Sequence, residues 1–82
     1  MGFRLERPEK DEYYRKVEEF MEYYKKTFGE EISYRDLVEV LEGRKELYPL
    51  SYNVAKMLEE INEIYWRLKS LGVKLPDPKA SL

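Results

Sequence analysis

The side chains that could do chemistry in this sequence are carboxylates, lysines and tyrosines, because histidine and cysteine are both absent. Histidine is the group that titrates nearest neutral pH, and cysteine supplies thiolates, disulfides and zinc ligands. Two carboxylate pairs, Glu18 with Glu22 and Glu59 with Glu63, stand four residues apart. On a helix that spacing places both groups on one face, where they could hold a metal or a water. A two-metal site in a helical bundle also takes Glu-x-x-His motifs, which this chain cannot form. The pairs are therefore expected to be solvated faces, with no metal and no cofactor. The four glycines are scattered and build no phosphate loop. Neither an independent enzyme nor a small-molecule substrate is expected, and a subunit lending carboxylates to a larger enzyme is a minor alternative.

Binding chemistry is what remains, and three helices must position it. The first is predicted over residues 8–28. Pro8 suits a first helical position, and Glu9, Asp11 and Glu12 complement the positive end of the helix dipole. Tyr13, Tyr14, Val17, Phe20, Met21, Tyr24 and Phe28 recur with helical period, and Gly29 is a natural stop. Asp11–Arg15, Glu12–Lys16 and Glu22–Lys26 have the acid-first order that supports an exposed face. The second helix is predicted over 33–42, capped by Ser33, with Ile32 and Leu37 as a hydrophobic staple and Gly43 after its end. A break follows at Tyr48-Pro49, since the residue before proline avoids the helical region.

The third helix is predicted over 51–71, capped by Ser51 and followed by Gly72. Val54, Met57, Leu58, Ile61, Ile64, Tyr65, Leu68 and Leu71 give it a broad apolar face at heptad positions a, d and e. That face is expected to be covered by the first helix or by a second copy of the chain. Residues 72–82 form an extended tail because of Pro76 and Pro78, fraying from Lys79 onward. Trp66 and Tyr23 fall off the apolar stripes. Either Leu75 and Pro76 fold back over Trp66, or Trp66 is an exposed partner anchor, as tryptophan often is at interfaces.

The expected whole is one all-α domain, long, short, long, over residues 1–82, with the first helix across a hairpin of the other two. The segment ISYRDLVEVLEG followed by PLSYNVAKMLEEIN resembles the two-helix core of helix-turn-helix proteins, over about Glu31 to Asn62. Tyr34, Leu37, Leu41 and Gly43 match the first half of that motif, and Ser51, Val54 or Ala55, and Leu58 the second. The connection from Gly43 to Leu50 is longer than the family's turn of about three to four residues, and Val38 stands where the family carries a small residue. The resemblance implies that Tyr52, Asn53 and Lys56 face the major groove, with Arg35, Arg44 and Lys45 on phosphates.

Charge bounds these functions. Charged residues make up 39% of 82, yet the net charge is −2. Ser51 to Leu71 carries three acids and three bases, so counterion release on DNA would be small and a dimer is expected. The interleaved charge, with few Asn and Gln, resembles the composition of hyperthermophile proteins. No apolar run is long enough to span a membrane. The first residues carry charges where a signal peptide has its apolar stretch, so a cytoplasmic location is expected. The functional expectation is a small regulatory or accessory protein that binds DNA. Its alternative is a protein–protein adaptor, or a subunit of a larger complex, meeting its partner through the third helix, Trp66 and Tyr23.

Overall fold

The computed structural model describes residues 8–48 and 50–78, so residues 1–7, whose charges bore on the signal-peptide reading, Pro49 and the tail residues 79–82 lie outside the description. The described residues form three helices and no strand: α1 (Pro8–Phe28), α2 (Tyr34–Leu41) and α3 (Tyr52–Ser70). The all-α, long–short–long order matches the periodicities. Both expected caps form. Ser33 Oγ accepts from the Asp36 backbone N–H at 3.1 Å, and Ser51 Oγ accepts from that of Val54 at 3.3 Å. The C-terminal ends of α2 and α3 close as paired reverse bonds. For α3, the Gly72 N–H bonds to Lys69 O and the Val73 N–H to Leu68 O, a geometry that needs the left-handed φ of +82° at Gly72.

The long helices run antiparallel, and their register can be counted from one edge. Glu9 meets Arg67 at 2.5 Å, Lys16 meets Glu60 at 3.4 Å, and the Asn53 amide donates to the Tyr23 hydroxyl at 3.3 Å. Each rung lies seven residues from the last on both helices, the repeat of an antiparallel coiled coil. The acid-first pairs expected on α1 give way to this arrangement. Lys16 reaches across to α3, and Arg15 pairs with Glu19 at 3.4 Å.

Inside the seam, Tyr13, Val17, Phe20 and Tyr24 of α1 are buried against Val54, Ile61, Ile64, Tyr65 and Leu68 of α3, with Tyr34, Leu37 and Leu41 of α2 closing the core. Each large apolar side chain so buried contributes about 1.5–3 kcal/mol. Thus α1 and α2 cover the broad face of α3 within one chain. Leu71 departs from expectation: it is 61% exposed. In the counted register Arg67 already stands opposite the first turn of α1, so Leu71, one turn further on, passes the start of that helix.

α2 does not form a tight hairpin with α3. Its C-cap residue Glu42 accepts a hydrogen bond from the Tyr65 hydroxyl, and the Trp66 indole N–H donates to Leu41 O at 3.4 Å. Tyr65 is far along α3, about 16 Å from Val54 at 1.5 Å per residue. The connection therefore runs back along α3 before Ser51 can start that helix. Its length, which sets it apart from the helix-turn-helix pattern, is what lets α2 lie across the α1–α3 pair.

Tyrosine hydroxyls fasten the irregular segments to this frame. Tyr24 donates to Tyr48 O at 2.6 Å, holding the connection, while Tyr34 donates to Leu75 O at 2.8 Å and Tyr14 to Pro76 O at 2.6 Å, holding the tail. The Tyr34 hydrogen is used on Leu75, so in the Tyr13–Tyr34 contact of 2.8 Å it is Tyr13 that donates. A buried phenol needs such a partner. The same bonds tie the loops down.

Candidate functional site

The residues expected at a DNA surface fall into two groups. Arg35, Arg44 and Lys45 gather around α2, where their charges have acidic neighbours. Lys45 Nζ lies 2.8 Å from Asp36 Oδ1 and Arg44 Nη1 lies 2.5 Å from Glu42 Oε1. The bond from Lys45 holds the Asp36 carboxyl below its ordinary range, and Asp36 raises Lys45 in turn. Glu42 is also held low, first by the Tyr65 hydroxyl and then by Arg44. Arg35 and Arg44 line one surface groove of about 490 Å³ together with Tyr34, Val38, Glu39, Leu75 and Asp77.

Tyr52, Asn53 and Lys56 occupy the first turns of α3 instead. All three are exposed, and Asn53 also forms the third rung at the edge of the α1 seam. Arg44, beside Glu42 and hence at the level of Tyr65, is about 18 Å along α3 from Asn53. The two groups therefore sit at different levels of α3.

Tyr23 and Trp66 are also separated. Tyr23 is half-buried on the α1 seam against Asn53. Trp66 lies on the α2 side of α3, its ring edge-on to Tyr65 at 5.2 Å between centroids. The tail does fold back, but its hydrogen bonds go to Tyr34 and Tyr14, and Trp66 remains 47% exposed.

A surface that the sequence reading did not single out appears just before α3. Tyr48 is 70% exposed, Leu50 53% and Tyr52 75%, three large apolar side chains within five residues. The Tyr24 hydroxyl grips the Tyr48 backbone carbonyl, and the Tyr48 ring stands in solvent with its own hydroxyl donating to Glu46 at 2.7 Å. Beside them lies a groove of about 290 Å³ lined by Val40, Leu47, Leu50 and Leu58, with Lys45 and Glu46 on its rim. Leu58, Asn62 and Trp66 follow at four-residue steps, so groove and indole share one edge of α3. The Asn62 side-chain oxygen on that edge is buried without a hydrogen-bond partner. The available signal was an apolar run, Leu47-Tyr48-Pro49-Leu50, inside a connection that proline keeps from becoming helix.

The carboxylates of Glu18, Glu22, Glu59 and Glu63 are exposed, and no cluster of three or more potential metal ligands occurs among the described residues. No helix among those residues is long and apolar enough to cross a membrane. Comparison with models of known protein families, with curated proteins and with solved structures finds no match to this chain.

Proposed function

We propose that this chain is a non-enzymatic protein-interaction module, an adaptor or small subunit, that takes its partner on the edge of α3 and the connection leading into it. The observation that carries this is the exposure of Tyr48, Leu50 and Tyr52 together, bordering an apolar groove whose Leu58 lies on the same edge of α3 as Trp66. A small monomer has no need to show three large apolar groups in one stretch, and tyrosine and tryptophan are the side chains that anchor interfaces. The groove rim carries one base and one acid, Lys45 and Glu46. A partner segment of low net charge with an apolar face fits it better than a phosphate backbone does.

The test compares the native chain with a Tyr48→Ser, Leu50→Ser, Tyr52→Ser triple variant as baits, after circular dichroism shows that both are folded. A defined partner retained by the native chain and lost from the variant is the expected result. Equal retention by both would remove this surface from the role. A parallel titration of Trp66 fluorescence with duplex DNA, at low and moderate salt, separates the DNA-binding expectation. A salt-sensitive change there, with no partner lost from the variant, would decide for DNA.

A further inference from the structure

The tail gives the molecule a second surface, independent of the one just proposed. From Val73 to Pro78 the chain is extended, and its side chains alternate: Val73, Leu75 and Asp77 are half-buried, while Lys74, Pro76 and Pro78 are exposed. The inward apolar residues pack on the core. Two consecutive backbone carbonyls, those of Leu75 and Pro76, are taken by hydroxyls from two different helices, Tyr34 of α2 and Tyr14 of α1. Asp77 lines the same groove as Arg35 and Arg44, whose wall also carries Glu39, so an acidic position of the tail lies among charges of both signs. Beyond it Pro78 lines an adjoining groove of about 420 Å³ on α1, whose wall combines Tyr14, Val17 and Met21 with the charged Asp11, Arg15 and Glu18. Apolar contacts at alternate positions and side-chain hydrogen bonds to main-chain carbonyls are how proteins bind extended peptides in general. Prolines also lower the conformational entropy that such a ligand loses on binding.

We infer that the Tyr14–Tyr34 face is a peptide-binding groove in which the chain's own tail sits as a ligand in cis, and that its ligand in trans is an extended partner segment of the pattern apolar–any–apolar–Pro–acidic. The tail then acts as a competitor. A tethered segment presents itself at an effective concentration on the order of millimolar, so a partner peptide displaces it only at comparable concentration or when the tail is otherwise engaged.

The probe is a fluorescent peptide with the sequence of Val73 to Pro78, followed by anisotropy. The chain carrying Leu75→Asp, its fold checked by circular dichroism, has a weakened cis ligand and an intact groove. It is expected to bind the peptide saturably and at least about tenfold more tightly than the native chain does. Adding Tyr14→Phe, which deletes one carbonyl donor, is expected to weaken that binding about two- to tenfold, and a peptide carrying the same Leu75→Asp change should not bind. Absence of saturable binding to the folded Leu75→Asp chain overturns the inference, as does binding indifferent to Tyr14→Phe or to the altered peptide. Should Leu75→Asp prevent folding, the native chain is titrated with millimolar peptide by NMR. Shifts confined to the Tyr14 and Tyr34 neighbourhood support the groove, and unmoved resonances there overturn it.

Discussion

The two sides of α3 are built on different terms. Toward α1 it presents a seam with a seven-residue repeat, apolar inside and edged by three polar rungs, in which both helices are long and continuous. Toward α2 it meets an eight-residue helix, a connection and a tail, held by hydroxyl-to-carbonyl bonds and flanked by open grooves. The first side buries its large side chains along α1, and the second leaves Tyr48, Leu50 and Trp66 in solvent. The difference separates tasks: one side makes the fold, and the other leaves apolar surface exposed.

The sharpest way to break this comparison is to cut an equivalent aliphatic group from each side. Ile61, 1% exposed in the seam, should cost about 2–5 kcal/mol as Ile61→Ala, measured by denaturant unfolding. Leu50→Ala should stay within about 0.5 kcal/mol. Similar losses at both sites would mean that the connection is part of the core.

High pH comes next and bears on where the two sides join. Burial raises Tyr13 to about 12, and burial first, then the hydrogen bond with Tyr13, drives Tyr34 higher. Tyr65 is raised by burial and then by the Glu42 carboxylate. The unfolded chain releases these protons near the ordinary tyrosine value of 10.0, while the folded chain retains them. The unfolded state then binds fewer protons, so the stabilisation is fully present below pH 10.0 and is lost as pH climbs through about 12. Each retained proton should remove about 1.4 kcal/mol per pH unit in that window. Thermal midpoints across it, with tyrosinate absorbance as the second signal, check this. A flat profile would mean that the junction tyrosines are open to solvent.

The smallest effect belongs to the rungs. A double-mutant cycle on Lys16 and Glu60, separated by 3.4 Å and partly exposed, should give a coupling of about 0.2–1 kcal/mol that falls as salt is added. A larger, salt-independent coupling would make the rungs part of what holds the seam, beyond setting its register.

How much of this was legible in the sequence divides along the same line. Ser33, Ser51, Gly43 and Gly72 mark helix ends by local chemistry, which needs no tertiary information, and the heptad stripe of α3 located its buried face. The partners of Lys16 and Tyr23 were not legible, because a cross-helix pair depends on register, and register is a property of two elements together. The same limit explains Leu71, whose heptad position is apolar but whose level along the bundle is past the start of α1. The site residues inferred from the helix-turn-helix resemblance assumed that α2 ends where α3 begins. The long connection separates those points, so Arg44 and Asn53 lie far apart. The exposure of Tyr48 and Leu50 follows from the Tyr24 hydroxyl taking a carbonyl at sequence distance 24, which no local pattern encodes.

The antiparallel seam also has a kinetic side. Its partners are remote in the chain, 44 residues apart for Lys16 and Glu60 and 58 for Arg67 and Glu9. The most stabilising interface therefore cannot form until a long loop has closed, and the entropy of that closure comes before any of its contacts. A helical protein of this size would ordinarily fold fast because its neighbours in space are neighbours in sequence. Here the seam departs from that pattern, because its partners across α1 and α3 are remote in sequence. A shortened loop between α1 and α2 would force that closure into a different topology, and a circular permutant joining α3 directly to α1 should speed it.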